Sequence, residues 1–115
     1  MSTIAADLIR GHTETIILAQ LMGGDSYGYQ INKAVKQMTN AQYEFKEATL
    51  YSAFKRLEEE HYIRSYWGNE GSGARRRYYA ITDEGRRHYT RLTEEWRRVS
   101  GMIETLISVT HSEQL

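Results

Sequence analysis

The chain of 115 residues is long enough for one domain around one modest core. It has no cysteine, which excludes a disulfide framework and a thiolate zinc site. No apolar run of ~20 residues offers a membrane span or a signal peptide, so a cytoplasmic protein without membrane contact is expected. Its 15 basic residues offset 15 acidic ones, unlike many nucleic-acid binders, yet six arginines against three acids (Glu70, Asp83, Glu84) fall between Arg64 and Arg87.

Residues 1–4 read as a short mobile arm. Ala5 to Met22 then keeps a helical period and is expected to form one helix. Ile17, Leu18 and Leu21 give it one apolar face; Leu8, Thr15, Ala19 and Met22 give it another, roughly opposite. A surface helix in a small monomer needs one such face. The second predicts a dimer contact or a ligand cavity, unless the N-terminus folds over it. Gly23-Gly24-Asp25 ends the helix, and Ser26 is expected to cap the next. Tyr27, Ile31, Ala34, Val35 and Met38 carry that helix to about Met38. After a loop at 39–42, the alternating Tyr43-Glu44-Phe45 reads as a short strand against the hairpin that follows.

Glu47 to Glu60 (EATLYSAFKRLEEE) predicts a helix of about four turns. At ~100° per residue, Leu50, Ala53, Phe54 and Leu57 share a core-facing side. Ala48, Ser52, Lys55 and Glu59 lie opposite, with Thr49 and Arg56 on one flank and Tyr51 on the other. Small and hydroxyl side chains in the first two turns allow close approach to base edges, and Lys55 and Arg56 are expected to reach phosphates. Lys46 is a poor cap for this helix, although Glu47 suits its positive end. A strand from Tyr62 to Trp67, a glycine-rich tip from Gly68 to Gly73 and a return strand from Arg75 to Ile81 predict a hairpin. Arg75, Arg76 and Arg77 make the returning leg basic. Neighbours on a strand face opposite ways, so two of the three are expected to meet phosphate. Tyr78 and Tyr79 are expected to pack the hairpin rather than stack on bases.

A polar-faced helix followed by a basic hairpin is the layout of a winged helix-turn-helix. The helix enters a major groove, and the hairpin lies along the backbone or in the next minor groove. By itself the helix reads equally well as a solvated amphipathic helix; the arginine leg favours double-stranded DNA. The alternative is a winged-helix module that docks a protein partner through the same surface.

Thr82, followed by Asp83 and Glu84, is a strong helix start. The final helix is expected to run to about Thr110. Its residues Tyr89, Leu92, Trp96, Val99, Ile103 and Leu106 repeat at spacings of three and four, as on a coiled-coil seam. So long a helix has little of its own core to cover, which predicts a homodimer through Leu92, Trp96, Val99, Ile103 and Leu106. Residues 1–82 thus read as the DNA-binding unit and 83–115 as the dimerisation helix. Trp96 reads as seam core, as a stacking platform for a ligand, or as both; both are expected, because a bulky indole holds a seam open. Glu104, two turns on, reads equally as a charge for a cationic ligand or as a solvated carboxylate. Catalysis is not expected. His12, His61, His88 and His111 are scattered, no pair has metal-ligand spacing, and no cofactor motif is present.

The chain resembles the PadR family of transcriptional regulators over essentially its whole length. The resemblance is carried by Tyr27-Gly28-Tyr29, Glu47-Ala48-Thr49-Leu50-Tyr51, Lys55-Arg56-Leu57-Glu58, Tyr66-Trp67-Gly68, Arg75 to Tyr79, and Ile81-Thr82-Asp83-Glu84-Gly85. It implies groove contacts by Tyr51 and Lys55. The short C-terminal helix and Trp96 make the chain most similar to small members that repress multidrug-efflux genes. That similarity implies a dimer around a flat hydrophobic pore, with planar drugs sandwiched between paired Trp96 rings. Leu8, Thr15, Ala19, Met22, Ser100 and Glu104 would line the pore. The chain departs from the family at His61, where glycine is usual. It also departs at Thr15, Ala19, Met22 and Ser100, which are small or uncharged where drug-binding relatives place more polar or acidic groups.

Overall fold

The computed structural model describes residues 2–69 and 75–111. Along the chain run α1 (Thr3–Arg10), α2 (Thr13–Met22), α3 (Gly28–Met38), α4 (Glu47–Glu59), β1 (Ile63–Asn69), β2 (Arg75–Ile81) and α5 (Asp83–Ile107). The expected class forms: mainly helical, with one antiparallel hairpin and a long last helix. Of the predicted glycine-rich tip, residues 70–73 lie outside the described residues, as do residues 112–115 of the tail.

Apolar side chains at helical spacing turn three helices toward one centre. Ile17, Leu18 and Leu21 of α2 meet Ile31 and Val35 of α3 and Leu50, Ala53, Phe54 and Leu57 of α4. Ile63 and Tyr79 close the cluster from the hairpin. Each fully buried Ile, Leu or Phe contributes about 1.5–3 kcal/mol, so this cluster sets where α4 and the hairpin sit. Sheet register pairs Ile63 with Ile81, Ser65 with Tyr79 and Trp67 with Arg77.

The end of α4 is built by its own backbone. His61 sits at φ 64°, the left-handed conformation that histidine tolerates better than most residues. The Tyr62 amide then donates to the Leu57 carbonyl at 2.9 Å and the His61 amide to Glu58 at 3.0 Å, a Schellman closure. Thr82 caps α5 by accepting from the Gly85 amide, while its own hydroxyl donates to the His61 carbonyl. Gly85 admits no side chain: a Cβ there would stand 2.0 Å from the Tyr62 carbonyl oxygen. Helix α4, the hairpin and α5 thus meet at one tight joint.

Four expectations are corrected. The single helix from Ala5 to Met22 is two, because Gly11 ends α1 and the Thr13 hydroxyl takes the freed Arg10 carbonyl at 2.6 Å. Of the arm expected at 1–4, Thr3 and Ile4 open α1 and Ser2 caps it through the Ala5 amide, while residue 1 lies outside the described residues. Ser26 is not the cap of α3, whose cap position is Tyr27. The Ser26 backbone is instead extended beside β2, exchanging two hydrogen bonds with Tyr79. Tyr43-Glu44-Phe45 is not a strand; the Asn32 side chain takes both the amide and the carbonyl of Phe45, which leaves no ladder to build.

The long helix α5 stretches the molecule to 69 × 30 × 21 Å. Its first turns pack on the chain's own core through Tyr89 and Leu92, so the seam does have an intrachain partner at its start. Trp96 still meets His12, but beyond Val99 the apolar side chains are open: among the described residues Met102, Ile103, Leu106 and Ile107 are all exposed. Among the described residues no helix is long and apolar enough to cross a membrane.

Candidate nucleic-acid interface

Burial of Leu50, Ala53, Phe54 and Leu57 leaves the other side of α4 open. Ala48, Ser52 and Lys55 are exposed there, and Thr49 is half-buried. Lys46 makes no side-chain cap, as the sequence suggested. Tyr51 is less free than its position implies. Its ring meets Phe54 edge-on, and its hydroxyl sits over Gly28, where a Cβ would come within 2.7 Å. The glycine of Tyr27-Gly28-Tyr29 is therefore the space into which Tyr51 fits. Arg56 is drawn away from the open side by Glu14 of α2, whose carboxylate accepts from its Nε at 2.9 Å.

On the wing, Arg75 covers the Trp67 ring at 5.0 Å and Arg76 covers Tyr27 at 5.7 Å. Arg77 instead donates to Glu58 on α4. Tyr79 is buried against Phe54, and Tyr78 stacks on Tyr66 and meets Tyr27 edge-on, so both tyrosines pack the hairpin as expected. The Tyr66 hydroxyl donates to Asp25 at 2.6 Å, and that bond holds its pKa above the usual phenol value. Between the wing and the starts of α3 and α4 lies a cleft of about 580 Å³. Its walls include Tyr29, Tyr51, Trp67 and all three arginines, Arg75, Arg76 and Arg77. Among the residues that sequence reasoning did not assign, Tyr29 and Trp67 stand out; Trp67 is 58 % exposed. Their signal was present in the alternation of β1, which sends Trp67 to the same face as Arg75.

A winged helix-turn-helix with this cleft is matched by the family model described as "Transcriptional regulator PadR-like family", over residues 17–91. The chain belongs to the PadR family. The solved structure of a transcriptional regulator from Clostridium thermocellum is 46% identical, covers 94% of this chain and 99% of its own, and superposes with a TM-score of 0.81. A PadR family regulator from Clostridium difficile is 34% identical over 84% of this chain and 99% of its own, with a TM-score of 0.71. An uncharacterized protein from Lysinibacillus sphaericus is 40% identical over 88% of this chain and 93% of its own. PadR proteins are DNA-binding transcriptional regulators and not enzymes.

The residues expected around a ligand are not gathered into one site by this PadR chain. Helices α2 and α5 run side by side: His12, just before α2, meets Trp96 edge-on at 4.6 Å, and Met22 at the other end meets Arg86. Met22 thus lies ~14 Å along α2 from the indole. Leu8 and Ala19 are exposed, and Thr15 is half-buried. On α5, the Ser100 hydroxyl is bonded to the Arg97 carbonyl, and Glu104 accepts from Ser108. Trp96 itself is 50 % exposed.

Proposed function

We propose that this PadR protein is a homodimeric repressor that reads a pseudo-palindromic operator and is released by planar aromatic compounds. The observation that carries the DNA half is the cleft joining Tyr51 of the recognition helix to Arg75 and Arg76 of the wing. Ala48, Thr49, Ser52 and Lys55 face base edges in the major groove, while Arg75 and Arg76 take backbone phosphates. The exposed apolar run Trp96, Ile103 and Leu106, continued from Val99, supports a second copy of the chain as the cover for α5. In that dimer the two Trp96 rings flank a flat ligand, with Ser100 and Glu104 on the same helical face and Leu8, Thr15, Ala19 and Met22 from the first two helices around it. Genes for multidrug efflux or stress response are the targets that suit such a ligand range.

Binding to a labelled duplex across a salt series tests the DNA half. Wild-type affinity falls steeply with salt, and Arg75→Ala with Arg76→Ala flattens the slope by about 0.9 per lost phosphate contact. Unchanged affinity and slope in the double variant would remove the wing from the interface.

A further inference from the structure

We propose that Arg77 is a positioning residue, not a phosphate contact: with Glu58 and Ser65 it fixes the angle between the wing and the recognition helix. The inference rests on the DNA-binding reading above and divides the labour among three consecutive arginines. Glu58 lies near the end of α4, and each of its carboxylate oxygens holds one strand of the wing. Oε2 accepts from the Ser65 hydroxyl of β1 at 2.6 Å, and Oε1 accepts from Nη2 of Arg77 in β2 at 3.2 Å. The same Arg77 nitrogen also donates to the Ser65 oxygen at 3.0 Å, closing a three-membered network. The Arg77 guanidinium further lies 5.8 Å over the ring of Tyr79, which stacks on Phe54 of α4. Arg75 and Arg76 are held differently, over the faces of Trp67 and Tyr27. A guanidinium stacked on a ring keeps its in-plane N–H donors for a phosphate, whereas Arg77 commits both N–H groups of Nη2 to Glu58 and Ser65, and its charge is met by the Glu58 carboxylate.

The two roles for Arg77 predict opposite signs for one substitution. If Arg77 bound phosphate, Glu58 would compete for it, and Glu58→Gln would free the arginine, remove a repelling charge and tighten DNA binding. If Arg77 positions the wing, Glu58→Gln loosens the wing and weakens binding. The test is fluorescence anisotropy of a labelled mixed-sequence duplex with the full chain, over a salt series. Glu58→Gln and Arg77→Gln are each expected to weaken binding about three-fold, as for an exposed ion pair, with the salt slope unchanged. The double variant should lose no more than either single one, because both remove the same link. Arg76→Gln should instead flatten the slope by about 0.9. Tighter binding by Glu58→Gln, or a slope lowered by one contact in Arg77→Gln, would overturn the positioning role while leaving the DNA reading intact. A wild-type chain with no salt-dependent duplex binding would overturn the DNA reading itself.

Discussion

Phe54 of α4 and Tyr79 of β2 stack face to face, their ring centroids 4.0 Å apart and their planes 13° apart. One ring comes from α4 and the other from the wing, so this contact joins the two elements proposed to approach DNA. Burial at this contact raises the Tyr79 pKa above the usual phenol value. Tyr79→Ala is expected to cost about 3–5 kcal/mol, as for a large core aromatic, measured by urea unfolding. A loss below about 1 kcal/mol would mean that the wing does not depend on this stack.

His88 of α5 stacks on Tyr62 at 4.0 Å, and burial followed by Arg91 holds its pKa below the usual imidazole value; Glu14 and Glu60 pull the other way. The unfolded chain therefore takes up the proton first. Stability from this group is complete above the unfolded pKa of about 6.5 and declines as pH falls from there toward the lower folded value. Thermal melts from pH 7.5 to 5.5 should show a smaller drop in Tm for His88→Gln than for wild type. Parallel curves would remove His88 from the acid response.

The helical period alone made the α4 core face legible, because Leu50, Ala53, Phe54 and Leu57 lie within two turns. The roles of the arginines were not legible in the same way. Arg56 is turned aside by Glu14, 42 residues earlier, and Arg77 by Glu58, 19 residues earlier. Pairings at such distances leave no periodic trace. The break at Gly11 was hidden because the apolar pattern continues across it. Ser26 looked like a cap because its neighbours are helical; its strand-like bridge depends on Tyr79, far along the chain. The α5 seam was legible as a pattern, but that Tyr89 and Leu92 cover the chain's own core depends on how α5 lies across the other helices.

The dimer proposal predicts that Val99→Asp together with Ile103→Asp converts the protein to a monomer in sedimentation equilibrium at micromolar concentration. Both positions follow Trp96 on the part of α5 that leaves the core, so folding should survive. An unchanged dimer would place the interface elsewhere.

The ligand proposal predicts that a planar cationic dye quenches Trp96 emission saturably in a Trp67→Phe background. Offset stacking on the indole and cation–π attraction supply the affinity without strict shape matching. Trp96→Ala should lose the dye while keeping the dimer and DNA binding. By linkage, operator DNA must weaken dye binding by the factor by which dye weakens DNA binding. An alanine variant that binds the dye as tightly as its parent would move the site away from Trp96.

Selection of duplexes from a random pool by the full-length protein tests the central claim most directly. A two-fold dimer that inserts α4 into successive major grooves should enrich inverted half-sites with centres about 34 Å apart, or a multiple of that. Lys55→Ala or Ser52→Ala should blur the bases within each half-site without changing their spacing. Recovery of no enriched sequence, or of one half-site without its inverted repeat, would contradict the account.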